Sequence, residues 1–323
     1  MNNPLPGLPL IESPLFPAMV SQLDLTSDEA RVGLELYYRG YAVFDFPDGE
    51  LEQRIDRIKA SLGPRYGVDF DDPGSDKTAG ERRLQDAWRF DADVHAIASN
   101  SVVIDLLSRL YGRKAFPFQT LNFPVGTQQS AHSDMVHFSS QPEKFMCGVW
   151  LAMEDIAADA GPLFYYPGSH RWPVMSNALI GRRGSGASLA SAQDPFAEAW
   201  AALCAAHEAQ AETFLAKKGQ ALIWSANLLH GGSPQIDSTL SRWSQVTHYY
   251  FDDCLYYTPA FSDETIGALD LREITAICDG RPRPNTYLGE HISAASARPG
   301  RSGGTGRSLI PRRLLRQLFG KSG

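Results

Sequence analysis

Cysteine is scarce. The 323 residues contain Cys147, Cys204, Cys254 and Cys278, and no two of them form a C-x-x-C pair. Zinc ribbons and dithiol redox motifs need such pairs, so neither is expected. Scattered single thiols in a chain this long fit a reduced protein rather than a disulfide scaffold. Long apolar runs are missing too: nothing approaches the ~20 residues needed to span a bilayer, so no transmembrane segment is expected. The opening Met1-Asn2-Asn3-Pro4-Leu5-Pro6 lacks the basic stretch and apolar core of a secretory leader. These absences lead us to expect a soluble, cytoplasmic protein. Positive charge is also short: 30 Lys and Arg against 37 Asp and Glu give a formal net charge of -7. A dedicated nucleic-acid binder gains affinity by neutralising phosphates, so no nucleic-acid partner is expected. There is no internal repeat, which argues against solenoids and propellers. The oligomeric state cannot be read from the sequence.

What is present is an ordinary globular composition, 43% hydrophobic and 21% charged, in a chain long enough for a sizeable core. Aromatic residues make up 11% and gather mid-chain, which suits a deep pocket and an aromatic core equally. Residues 1–23 are proline-rich without periodicity and read as an extended arm. Thr26 with Glu29 three residues on is a capping box, so a helix should start there and stop near Gly40. A strand is expected over 41–46, a helix over Leu51–Leu62, a mobile acidic loop over 66–81, and one helix from about Asp93 to Tyr111. That last helix should bury Val94, Ile97, Val102, Ile104, Leu106, Leu107 and Leu110.

From residue 115 the texture changes. Short apolar runs alternate with Gly/Pro/Ser/Asn turns: 116–123, 132–138, 145–153, 162–166, 219–224 and 243–251. Many short strands at such spacing indicate a β-sandwich or barrel. The fold class we expect is mainly β with flanking helices. We read residues 1–291 as one domain, with a barrel core over about 115–255 and a helical N-terminal part over 24–112. The alanine-rich stretch at about 195–217 should be a helical insertion over a rim of the barrel. Residues 292–323 read as a flexible basic tail, whose amphipathic end either docks on its own domain or meets an anionic membrane or a partner.

The chemistry centres on His132-Ser133-Asp134. On a strand, residues i and i+2 face the same way, so an imidazole and a carboxylate would project together. Two groups do not complete a metal site, and a distant histidine is required. His230, after the apolar strand 221–224 and before Gly231-Gly232, is the candidate; the glycines would let the backbone turn tightly. Two histidines and one carboxylate on one face of an octahedron leave three positions open, the triad of non-haem Fe(II) oxygenases. Zinc more often takes three protein ligands and one water in a tetrahedral site. Arg242 lies in an apolar β run, which is costly unless it meets an anion. A co-substrate carboxylate would satisfy it, as would an internal salt bridge or a solvent-facing position.

These motifs, with Trp150-Leu151-Ala152-Met153-Glu154-Asp155, Gly161-Pro162-Leu163 and Pro167-Gly168-Ser169-His170, resemble the phytanoyl-CoA dioxygenase family over about residues 26–255. The resemblance implies a double-stranded β-helix, a jelly-roll or cupin-like barrel. It also implies a hydroxylase that uses Fe(II), O2 and 2-oxoglutarate as co-substrate. His132, Asp134 and His230 then match the iron ligands, and Arg242 matches the arginine that grips the far carboxylate of 2-oxoglutarate. Trp150 matches a tryptophan lining the co-substrate site, and Gln119 and Arg83 match residues that touch the same ligand. Ser244, on the Arg242 strand, joins this co-substrate set. There is a departure at Gly232, where the lipid-oxidising member has serine; Ser233 is the alternative source of that hydrogen bond. Halogenating members replace the carboxylate with a small residue, so Asp134 argues for hydroxylation or a related oxidation.

Other residues admit two readings. His137 has the wrong strand parity for the metal face and is either a core residue or a substrate contact. His170 either braces its turn or touches substrate, and His248 and Tyr250 either line the pocket or pack in the core. The pocket walls should come from 66–90, 138–145, 172–195 and 255–290, where Arg182-Arg183 either binds an anionic substrate or is a solvated pair. A small-molecule substrate is expected. The alternatives are a cupin-type metalloenzyme that does not use 2-oxoglutarate, and an inactive barrel acting as a binding module.

Overall fold

In a computed structural model, residues 3–184 and 191–293 are described. The N-terminal arm is not extended. It winds through the short helix α1 (Phe16–Met19) between two 3-10 turns and buries Leu10, Ile11, Phe16 and Met19. Apolar side chains with a core to reach drive it inward. Helix α2 (Ser27–Arg39) starts at the expected capping box and ends on Gly40 in the left-handed conformation. Strand β1 (Tyr41–Asp45) and helix α3 (Leu51–Leu62) follow as read. The helix expected over 93–111 is two, α4 (Ala92–Ala98) and α5 (Ser101–Tyr111). Asn100 breaks the run because its side chain accepts from the Val103 N–H and caps α5 instead of continuing α4. The break turns Val102 outward, where it is 52% exposed rather than buried.

The expected strands appear as β3 (Ala115–Phe123), β5 (Met146–Ala152), β6 (Leu163–Tyr165), β8 (Gln220–Ser225) and β10 (Ser244–Phe251). Shorter ones are β2 (Leu84–Gln85), β4 (Ser139–Gln141), β7 (Glu212–Phe214), β9 (His230–Gly232) and β11 (Leu255–Tyr257). The major sheet is antiparallel, in the order β1-β8-β5-β10-β3-β2, and a smaller sheet has the order β7-β6-β9. The two sheets face each other across a core containing Trp150, Leu222, Trp224 and Val246 from the large sheet and Leu163, Tyr165 and Phe214 from the small one. The alternate residues Val149, Leu151, Ile223 and Tyr249 point the other way, into a second core under helices α2 to α5. Period-2 alternation thus serves two cores from one sheet.

Two more expectations change. Residues 132–138 are not a strand: His132 makes one isolated bridge, and Asp134–Val136 is a 3-10 turn. The turn forms because the His137 and Phe138 N–H groups both bond the Asp134 carbonyl. The insertion helix α6 spans only Ala197–Ala206, since the chain then pairs β7 with β6. Its Trp200, with Phe196, packs in one cluster with Val136 and Leu229. The basic tail from 294 onward lies outside the described residues. Among the described residues no helix is long and apolar enough to cross a membrane.

Candidate metal centre

His132 and His230 meet as partners in an antiparallel bridge, each N–H bonding the other's carbonyl at 2.9 Å. Residues directly opposite in such a bridge project to the same face, and the two imidazole centroids are 4.6 Å apart. Each ring is oriented through Nδ1, which lies 2.9 Å from the Ser130 carbonyl in His132 and 3.0 Å from the Leu228 carbonyl in His230. A carbonyl only accepts, so Nδ1 carries the proton and Nε2 presents a lone pair.

Asp134 enters from the 3-10 turn. Its oxygens lie 3.7 Å from His132 Nε2 and 3.8 Å from His230 Nε2. Ser133 points the other way and bonds the Ala226 carbonyl at 3.2 Å, which keeps the alternation without a strand. All three side chains are buried, and one ligand atom from each lies within 4.8 Å of the others. Burial, then His230 beside it, lowers the His132 imidazole to about 3. Burial alone would raise the Asp134 carboxyl; the imidazoles of His230, His248 and His132 outweigh it and hold the group well below the ordinary carboxylate range. A neutral imidazole and an ionised carboxylate are the forms a metal binds.

Arg242 is 2% exposed, and its Nε hydrogen has no partner. One terminal nitrogen donates to the Val125 carbonyl at 3.4 Å, and the guanidinium lies 5.6 Å over the Trp150 ring. Burial lowers it to about 10, with Glu154 acting the other way, so it stays cationic at neutral pH. Among the described residues no carboxylate comes within ion-pair distance of it. Glu154 is engaged by Lys59, Ser241 and the Trp243 N–H.

Two connected spaces open here. A small inner chamber of about 70 Å³ is lined by the three candidate ligands with Arg242, Trp150, Trp224, Thr127 and Gly232. An outer cavity of about 1050 Å³ reaches His132 and Asp134 from outside. Gln119 and Arg83 line the outer cavity, not the chamber that holds Arg242. Ser244 is fully buried with an unpartnered hydroxyl and lines neither space. Gly231 and Gly232 sit in extended strand, not in a turn. A Cβ on Gly232 would fall 2.6 Å from Thr127 Oγ1 and 2.9 Å from the Gln128 nitrogen, so serine does not fit there. Thr127 brings a hydroxyl to that wall of the chamber, and Ser233 lines neither space.

His137 does line the outer cavity, because the parity expected of a strand does not hold in a 3-10 turn. His248 lines both spaces, with Nε2 3.5 Å from Asp134 Oδ2 and Nδ1 3.1 Å from Gln119 Oε1. His170 braces its turn by bonding the Tyr37 carbonyl at 3.1 Å, and Tyr250 is a core residue bonded to the Ser139 carbonyl. The cavity walls come from 66–85, Phe138 and Gln193 rather than from 255–290, and Arg182 and Arg183 do not line them. The loop expected to be mobile is folded around Lys77, which is 3% exposed and donates to the Asp69 carbonyl and Ser75 Oγ. Sequence reasoning missed Trp224 as a site residue. Its indole N–H donates to Asp134 Oδ2 at 2.9 Å, and its only sequence signal was its place on the strand leading to His230.

Among solved structures, the nogalamycin-biosynthesis carbocyclase SnoK is similar at 16% identity, with a TM-score of 0.53 over 72% of this chain and 87% of its own. The epimerase SnoN, in complex with Fe3+, alpha ketoglutarate and nogalamycin RO, shares 14% identity, with a TM-score of 0.53 over 84% and 97%. EctD from S. alaskensis, with 2-oxoglutarate and 5-hydroxyectoine, shares 17% identity, with a TM-score of 0.53 over 84% and 89%. At these identities the likeness establishes the fold, a double-stranded β-helix. No curated protein is similar enough in sequence to match. Residues 49–242, more than half of the chain, match the family model for phytanoyl-CoA dioxygenase (PhyH). The chain therefore belongs to the phytanoyl-CoA dioxygenase family of Fe(II)- and 2-oxoglutarate-dependent oxidoreductases.

Proposed function

We propose that this oxygenase oxidises a C–H bond of a polar small molecule, with hydroxylation as the outcome, and that His132, Asp134 and His230 hold its iron. The observation that carries the reading is Arg242: a buried cation with no counter-ion among the described residues, on the wall of the same chamber as the three candidate ligands. Burying an unpaired charge is costly, so the site is built to receive an anion. The far carboxylate of 2-oxoglutarate meets that need, with its other end toward the ligand triad. Bound iron would supply the activation of dioxygen. The chain's own residues position the reactants. The Nδ1 bonds of both histidines hold their rings in place, Arg242 grips one end of the co-substrate, and Trp150 closes the wall beneath it.

The substrate then belongs in the outer cavity. Its wall carries Arg82, Arg83, Gln85, Gln129 and Gln193 beside Leu121, Phe123 and Phe138, so a substrate there meets polar groups along with an apolar surface. Glu81 flanks the two arginines, which makes a poor match for the several phosphates of a coenzyme A thioester. A compact polar substrate with one anionic group fits better. The carboxylate ligand and the matched family favour this reading over a cupin enzyme that does not use 2-oxoglutarate or a binding module.

Anaerobic addition of Fe(II) and then 2-oxoglutarate should produce a weak visible charge-transfer band in the wild type, and His132→Ala should abolish it. A wild-type protein that shows no band at saturating ligand would refute the assignment.

A further inference from the structure

Three neighbouring strands put one row of residues under the Asp134 carboxylate. Gly148 of β5 is the register partner of both Trp224 on β8 and His248 on β10. The row His248–Gly148–Trp224 faces the sheet interior, and its middle position has no side chain. A Cβ on Gly148 would lie 2.1–2.5 Å from three atoms of the Trp224 ring. The indole therefore lies flat across β5, and this reach brings its Nε1 to 2.9 Å from Asp134 Oδ2. Trp224 is 3% exposed and stands edge-on to His248, at 89° with centroids 6.0 Å apart.

An indole N–H can only donate, so the direction of this bond is unambiguous: Oδ2 accepts. His248 Nε2 lies 3.5 Å from the same oxygen. Among the described residues Oδ1 accepts no hydrogen bond; it lies 3.7 Å from His132 Nε2, and the hydrogen-bonded Oδ2 lies 3.8 Å from His230 Nε2.

We infer that Trp224 is a positioning residue: its N–H holds Asp134 Oδ2 and so fixes the orientation in which the carboxylate meets iron, and Gly148 is the gap in the sheet that makes this possible. The inference rests on the reading of His132, Asp134 and His230 as the iron ligands and adds how one of them is held. A carboxylate held in one orientation would present the same ligand atom to iron in every molecule, whereas an unheld one could turn. Hydrogen-bond partners of a ligand typically carry 10–100-fold in metal affinity.

The experiment uses full-length protein, Fe(II) alone and then Fe(II) with 2-oxoglutarate, under anaerobic conditions. Trp224→Phe keeps the ring and removes the donor. It should weaken Fe(II) binding about 10–100-fold, measured by competition with a chromophoric chelator. It should also shift or weaken the charge-transfer band at saturating iron. Gly148→Ala, which displaces the indole, should shift the band in the same direction. The thermal midpoint of each metal-free variant separates folding from positioning. A Trp224→Phe protein with wild-type iron affinity and an unchanged band overturns the inference, as does one whose only change is a lower midpoint. A wild type with no band sinks the underlying iron reading instead, so the two failures are distinguishable.

Discussion

A guanidinium buried without a counter-ion is a liability in the free protein and an asset in the complex. Arg242 has five N–H donors, and among the described residues its side chain makes one hydrogen bond, to a carbonyl at 3.4 Å. Arg242→Gln should therefore leave the metal-free protein as stable as wild type, or more so, because it removes an unpaired buried charge. The same change should cost about 3 kcal/mol of 2-oxoglutarate binding, roughly 100-fold in Kd, since a buried charge-assisted pair is lost. Arg83 makes the contrast. It is exposed and lines only the outer cavity, so Arg83→Gln should change the 2-oxoglutarate Kd by less than about 2-fold, within the ±0.5 kcal/mol typical of surface substitutions. Titrating the charge-transfer band of Fe(II)-loaded variants measures both. Equal losses in the two would show that Arg83 reaches the co-substrate after all, as the family resemblance implies.

At the scale of elements, the turn after β6 is locked onto α2 through His170. The ring is 1% exposed and bonds the Tyr37 carbonyl. Burial, assisted by Lys144 and Arg171, lowers it from 6.5 to about 4. The sign follows from which state binds the proton. Below the ordinary value the unfolded chain protonates His170 while the folded chain resists, so stability falls as pH drops through this window and levels off below about 4. The full effect is on the order of 3 kcal/mol. Denaturant unfolding at pH 7 and pH 4 should show a smaller acid-induced loss in His170→Asn than in wild type; equal losses would contradict the mechanism. The same scale shows what was legible in the sequence. The α2 capping box, the 51–62 helix and five of the six strands of the major sheet follow from local rules, because capping chemistry and short apolar runs between turn residues are written in adjacent residues; β2 (Leu84–Gln85) was not read. The Asn100 break and the 3-10 turn at Asp134 depend on where backbone bonds go once the fold closes, and neighbouring residues do not encode that. That His132, Asp134 and His230 would converge was readable from chemistry and spacing, whereas for Arg242 these left a salt bridge and a solvent-facing position open, and its co-substrate role came from the family resemblance. Trp224 was not readable, because its role requires a glycine that becomes its neighbour only across the sheet register.

For the whole molecule, one antiparallel sheet separates two cores with different duties. The inward face holds Trp150, Trp224 and Val246 beside the candidate metal centre, and the outward face carries the helices and the N-terminal arm. Phe16 belongs to the second core: it is fully buried, and its ring lies 2.8 Å from where a Cβ on Gly33 of α2 would sit. Phe16→Ala should cost about 3–5 kcal/mol of stability, the usual result of emptying a packed aromatic site. It should leave the Fe(II) and 2-oxoglutarate affinities unchanged, because distant sites without shared partners act additively. Unfolding by denaturant measures the first effect, and anaerobic titration of the still-folded variant measures the second. A loss of iron affinity matching the loss of stability would mean that the helical layer sets the geometry of the barrel interior. The sheet would then transmit packing between the cores instead of insulating one from the other.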